Sequence, residues 1–132
     1  MTTPTILYTI GSSMFVFIGI LHTIVHFKEL VSDEVKQKIS PLGLIKVAGQ
    51  NAEVWKLWQG MSLLFGVLLS VLGLNNLLVL EANANPPASI TLVTMGVLLL
   101  VIYSGHKYFG KMQFYGGMFG FLLFGISLYL SH

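Results

Sequence analysis

From Ile6 to Phe27 the sequence carries no aspartate, glutamate, lysine or arginine. A helix of that length rises about 1.5 Å per residue and so reaches across the roughly 30 Å hydrocarbon core of a bilayer. Three more long apolar runs follow, at about 54–80, 90–109 and 114–130, with Lys56 and Lys107 near the ends of the first two. The whole chain is 55% hydrophobic and only 9% charged, whereas a soluble domain is about a quarter charged, so such a surface is built for lipid. The links between the runs are short, and short links make antiparallel neighbours. The expectation is therefore all-α: one integral membrane domain over 1–132, folded as a four-helix up-and-down bundle. A cleaved signal peptide fits the first run poorly, because no positive segment precedes Ile6 and no small-residue cleavage site follows Phe27.

The polar residues sit between the runs. Residues 28–53 hold Lys28, Glu29, Asp33, Glu34, Lys36, Lys38, Lys46 and Glu53. Ser32, Asp33 and Glu34 read as the start of a short helix that Pro41 stops. Val31, Val35, Ile39 and Leu42 then give it an apolar face to lay along the membrane surface, with a solvated loop as the alternative. Glu81 to Ser89, with Pro86 and Pro87, reads as a turn, and Gly110-Lys111-Met112 as a tight link. All seven basic residues are lysines: Lys28, Lys36, Lys38, Lys46 and Lys56 around the first loop, Lys107 and Lys111 around the third. The positive-inside rule then puts those loops in the cytoplasm and both termini outside, in a bacterial cytoplasmic membrane. A net charge of +2 gives no case for nucleic acid, and the absence of cysteine excludes disulfide and thiol chemistry.

Against this background the two histidines of His22-Thr23-Ile24-Val25-His26-Phe27 stand out, one helical turn apart near the end of an apolar run. With alternating helices, the cytoplasmic leaflet collects His22, His26, Glu53, Trp55, Gln59, Tyr103, His106, Gln113 and Tyr115. The other leaflet offers Tyr8, Asn75, Asn76 and a few hydroxyls. Steps of four and three place Tyr8, Ser12, Phe15, Gly19, His22 and His26 on one stripe of the first span, and Trp55, Gln59, Ser62, Gly66, Ser70 and Gly73 on one stripe of the second. The same stepping selects Gly96, Tyr103, His106 and Gly110, then Gln113, Gly116, Gly120 and Ser127. In a lipid solvent, small and polar residues in a stripe mark the face packed against other helices, while lipid-facing positions favour bulky apolar groups.

These residues suit three chemistries. His22 and His26 project side by side and could hold a transition metal, with His106 or Glu53 completing the sphere. A haem would need axial ligands from opposite sides, hence His106 with His22 or His26. Acid–base work on a lipophilic molecule would use His22 or His26 to exchange the proton and Glu53 to orient the ring, with Trp55, Gln59, Tyr103, His106, Gln113 and Tyr115 lining the site. The rival expectation is a noncatalytic accessory subunit of a homo-oligomer or larger membrane complex, its histidines meeting headgroups, helix carbonyls or a partner. In that reading Glu53 simply favours a helix N-terminus, and Gly116-x-x-x-Gly120 is packing within the chain.

His22-Thr23-x-x-His26-Phe27, followed by Trp55-x-x-x-x-Gly60-x-Ser62-Leu63, resembles a group of small four-span bacterial membrane proteins with a paired-histidine first span and an aromatic-rich second span. Where that group favours glycine before each histidine and an acid after the tryptophan, this chain has Leu21, Val25 and Lys56. The resemblance implies the architecture and brings no activity or cofactor with it.

Overall fold

Helix formation follows the apolar runs closely in the computed structural model, which describes the chain apart from residues 1, 29–32, 48, 84, 105, 107–110 and 132, and apart from the side chains of residues 35 and 111–113. The described elements are α1 (Thr3–Phe27), α2 (Asp33–Ile39), β1 (Leu44–Val47), β2 (Gln50–Glu53), α3 (Val54–Asn83), α4 (Ala88–Ser104) and α5 (Lys111–Ser131). Three helical stretches, Thr3–Phe27, Val54–Asn83 and Phe114–Ser131, are long and apolar enough to cross a membrane. The 17 residues of α4 are apolar but shorter; the expected end of that run, 105 and 107–110, lies outside the described residues. α3 carries on through Glu81 to Asn83, so the turn expected to begin at Glu81 starts later and is closed by Pro86 and Pro87 ahead of α4.

Large apolar side chains point outward, among them Phe17 at 64% and Leu100 at 67% exposure, while Tyr8, Ser12, Asn76, Thr91, Thr94 and Ser127 are fully buried. Phe15, Leu98 and Phe124 share that interior, and polar groups buried there while large apolar side chains point outward suit a lipid solvent.

The chain divides into two compact units, Val16–Val71 and Met1–Phe15 with Leu72–His132. In the first, α1 and α3 run antiparallel and meet at a pair of glycines. A Cβ on Gly19 would lie 2.5 Å from the Gly66 carbonyl oxygen, and one on Gly66 would lie 3.0 Å from the Gly19 carbonyl. Only the absence of a side chain permits that approach. Thr23 donates to the Gly19 carbonyl at 2.8 Å and Ser70 to the Gly66 carbonyl at 3.1 Å, so these hydroxyls are satisfied within their own helices.

The described residues between Asp33 and Glu53 form regular elements where a solvated loop was the alternative. α2 starts with Asp33 and Glu34 and ends with Lys36 and Lys38, charges that complement its dipole, and Glu34 pairs with Lys38 at 2.6 Å. A 3-10 turn over Ser40–Leu42 with Pro41 in it then stops the helix. Gly43, at φ +70°, turns the chain into an antiparallel hairpin that pairs Leu44 with Glu53 and Val47 with Gln50. The sequence reading did not foresee this hairpin. Lys36 Nζ lies 5.8 Å over the Trp55 ring and ties α2 to the start of α3.

In the second unit Ser127 donates to the Pro4 carbonyl at 2.8 Å and Tyr8 meets Phe124 edge-on at 5.2 Å, which sets α1 antiparallel to α5. Asn76 donates to the Thr94 hydroxyl at 3.1 Å and joins α3 to α4. A Cβ on Gly117 would meet Ile102 and one on Gly120 would meet Leu98, so α4 and α5 are antiparallel as well. The buried polar residues of α4 are Thr91 and Thr94. Gly96 has open space around it and Tyr103 and His106 are exposed, so the stripe expected on this helix is corrected: its buried residues are Thr91, Thr94 and Leu98.

Candidate functional site

The stripe on α1 is the buried face that the spacing predicts: Tyr8, Ser12, Phe15, Gly19 and His26 are buried and His22 is half-buried. Because Gly19 and Gly66 lock α1 against α3, the next turns toward the C-terminus of α1 hold His22 and His26 opposite Ser62, Gln59 and Trp58. Both imidazoles converge on one atom. His22 Nε2 lies 3.0 Å from Ser62 Oγ, and His26 Nε2 lies 3.0 Å from the same oxygen. The ring centroids are 4.5 Å apart. Phe65 meets His22 edge-on at 5.8 Å, and Trp58 meets His26 edge-on at 5.2 Å with Trp55 stacked on it at 5.2 Å.

Gln59 contributes through the backbone. Its amide donates at 3.3 Å to the carbonyl of His26, one of the last-turn carbonyls that a helix leaves without an internal partner. The capping holds the end of α1, and with it the His26 ring. That ring is 6% exposed, and its Nδ1 is buried with no hydrogen-bond partner among the described residues. A buried polar atom without a partner costs about 1–3 kcal/mol.

Two grooves run along the same side of the α1–α3 pair. The first, an open groove of about 280 Å³, is lined by His26, Phe27, Lys56, Gln59, Gly60 and Leu63. The second, of about 230 Å³, continues toward the glycine crossing and is lined by Ile20, Thr23, Ile24, Val67, Ser70 and Val71. Its two hydroxyls are spent on helix carbonyls, so its wall is effectively aliphatic.

Among the described residues Glu53 pairs with Lys56 and not with an imidazole. It stands immediately before α3, exposed and paired with Lys56 at 2.9 Å, which is where the helix dipole favours a carboxylate. Tyr103, His106 and Tyr115 belong to the other unit. There Tyr103 and Tyr115 are exposed, and His106 lies 5.8 Å from Phe114. The side chain of Gln113 lies outside the described residues. Among the described residues no three histidine or carboxylate side chains gather to hold a metal ion. Sequence reasoning missed Ser62, Trp58 and Phe65 as site residues. Ser62 alone left a signal, a hydroxyl one turn beyond Gln59 on the same stripe.

No family model, curated protein or solved structure matches the chain, so the functional reading rests on this geometry.

Proposed function

We propose that the protein is a multi-pass protein of the bacterial cytoplasmic membrane with four spans up and down and both termini outside, and that its α1–α3 pair binds a lipid-like small molecule in the cytoplasmic leaflet. The resemblance noted in the sequence points to the same architecture. The contacts α1–α3, α1–α5 and α4–α5, each antiparallel, support the up-and-down order, and the lysines support the orientation.

The observation that carries the binding reading is the pair of aligned grooves: a polar one at His26, Lys56 and Gln59, and an aliphatic one beside it. An amphiphile places its head in the first, within reach of the imidazoles, and its tail in the second. Small-molecule sites are of this kind, mostly apolar with a few convergent polar groups. A bound metal is less well supported, because among the described residues no three histidine or carboxylate side chains gather. In the binding reading Glu53 acts at the helix end and takes no part in the chemistry.

The test is co-purification. Wild type and His26→Ala, reconstituted or purified in mild detergent and matched for helicity and elution volume, are extracted and their lipophiles compared by mass spectrometry. A molecule enriched at least about tenfold on wild type, equivalent to about 1.4 kcal/mol of affinity, and lost from the variant is the expected result. Identical extracts overturn the reading, and a stoichiometric larger protein in both would favour the accessory-subunit alternative.

A further inference from the structure

Ser62 has one hydroxyl hydrogen and two imidazole partners. Its oxygen lies 3.0 Å from His22 Nε2 and 3.0 Å from His26 Nε2, and among the described residues these are its hydrogen-bond partners. A serine hydroxyl donates once and accepts up to twice, and a neutral imidazole carries its proton on one nitrogen only. If Ser62 donates to His26 Nε2, then His22 must present Nε2–H to Ser62. If Ser62 donates to His22, the roles reverse. Each neutral pair of bonds therefore fixes the two rings in opposite tautomers.

We infer that Ser62 couples His22 and His26 into one proton-transfer unit whose outlet is the buried Nδ1 of His26. In one arrangement His22 Nε2–H donates to Oγ and Oγ–H donates to His26 Nε2, so His26 carries a proton on Nδ1 and His22 Nδ1 is bare. For transfer, a proton from hydronium binds His22 Nδ1, the Nε2 proton of His22 passes to Oγ, the hydroxyl proton passes to His26 Nε2, and Nδ1 of His26 passes its proton to the head group of a ligand seated in the groove beside it. One proton enters and one leaves, no charge is left behind, and the rings end in the opposite tautomers. The reverse shift resets the unit.

The surroundings fit these roles. His22 is half-buried, whereas His26 is 6% exposed and its Nδ1 has no protein partner. The same Nδ1 is a donor in one arrangement and an acceptor in the other, as acid–base exchange with a ligand requires. His26 also lines the polar groove. The ligand class this suits is a lipophile whose head is a hydroxyl or carbonyl, a group able to take a proton from Nδ1 or give one to it. The outlet of the relay rests on the binding reading above; the coupling of the two rings through Ser62 does not. Ser62 is a positioning residue here, acting through the imidazoles.

The experiment is ¹⁵N NMR of histidine-labelled full-length protein in lipid nanodiscs at about pH 8, where an ordinary imidazole is neutral, with resonances assigned by single substitution. The expected signature is complementarity: the fraction of His22 protonated on Nε2 equals the fraction of His26 protonated on Nδ1, whether or not the two forms average. Ser62→Thr, which keeps the hydroxyl, preserves the equality, and Ser62→Ala abolishes it. Both rings predominantly Nε2-protonated in wild type, or equality persisting in Ser62→Ala, overturns the inference. The wild-type measurement decides even if the alanine variant does not fold. Complementary tautomers without a co-purifying lipophile would remove the binding reading alone, and a lipophile lost from His26→Ala without complementarity would remove the relay alone.

Discussion

A methyl group on Gly19 has nowhere to go. It would come within 2.5 Å of the Gly66 carbonyl oxygen and 2.6 Å of the Ser70 amide nitrogen, and these are backbone atoms that cannot swing aside as a side chain can. Gly19→Ala should push α1 from α3 and cost about 1–3 kcal/mol, the usual penalty for overpacking. It should also separate the imidazoles from Ser62. Gly96→Ala, with nothing within 4 Å, should be neutral or more stable by up to about 1 kcal/mol through helix propensity. Unfolding titrations in mixed micelles measure both, and a Gly19→Ala protein as stable as wild type would contradict the close crossing. The contrast also says what the sequence could reveal. On α1 and α3, serine, glycine and histidine recur at helical spacing and mark the buried face correctly. On α4 the same rule chose Gly96, because a glycine looks alike whether it admits a neighbour or faces lipid. Thr91 and Thr94 escaped notice since threonine is also at ease outside, bonding its own helix as Thr91 does to the Pro87 carbonyl at 2.9 Å. Ser62 was visible as a member of its stripe, but only the coordinates reveal that both imidazoles share its oxygen.

Among the elements, the helices were legible because an unbroken apolar run has few other uses, and the hairpin was not. Leu44-Ile45-Lys46-Val47 is too short for periodicity to separate strand from helix, and Gln50-Asn51-Ala52-Glu53 has little strand propensity. The decisive element is backbone geometry: Gly43 at φ +70° and Gly49 at φ +83° turn the chain into and within the hairpin. A two-stranded hairpin is marginal in isolation, and this one is held at its base where the Val54 amide donates to the Gly43 carbonyl at 3.1 Å. Gly49→Val forces a β-branched residue into the left-handed region at a cost of about 1–2 kcal/mol, enough to open so small an element. Hydrogen exchange should then rise across 44–53 while α1 and α3 keep their protection, and lipophile binding should persist. Unchanged exchange in the strands would mean that something other than the turn holds them. The same element sets where Glu53 stands: β2 runs directly into α3, so the carboxylate lies at the helix start, where it pairs with Lys56.

At the scale of the molecule, the number of crossings turns on α4. At about 1.5 Å per residue the 17 described residues of α4 cover about 25 Å, short of a hydrocarbon core of about 30 Å unless the helix continues or the bilayer thins. The lysines argue for a crossing, since Lys38 and Lys46 precede α3 and Lys107 and Lys111 follow α4, and the positive-inside rule puts both groups in the cytoplasm with the Pro86-Pro87 turn outside. Parity makes this testable. The chain has no cysteine, so single cysteines at Lys38, Asn85 and Ser131 give unambiguous labels. With four crossings, a membrane-impermeant maleimide added to intact cells should label the Asn85 and Ser131 positions and should reach the Lys38 position only after permeabilisation. If α4 instead stays on the outer side, three crossings remain and the Ser131 position becomes protected while Asn85 still labels. Labelling of Lys38 from outside would invert the whole molecule, and with it move the His22–Ser62–His26 unit to the opposite leaflet, where the relay would exchange protons with the external medium.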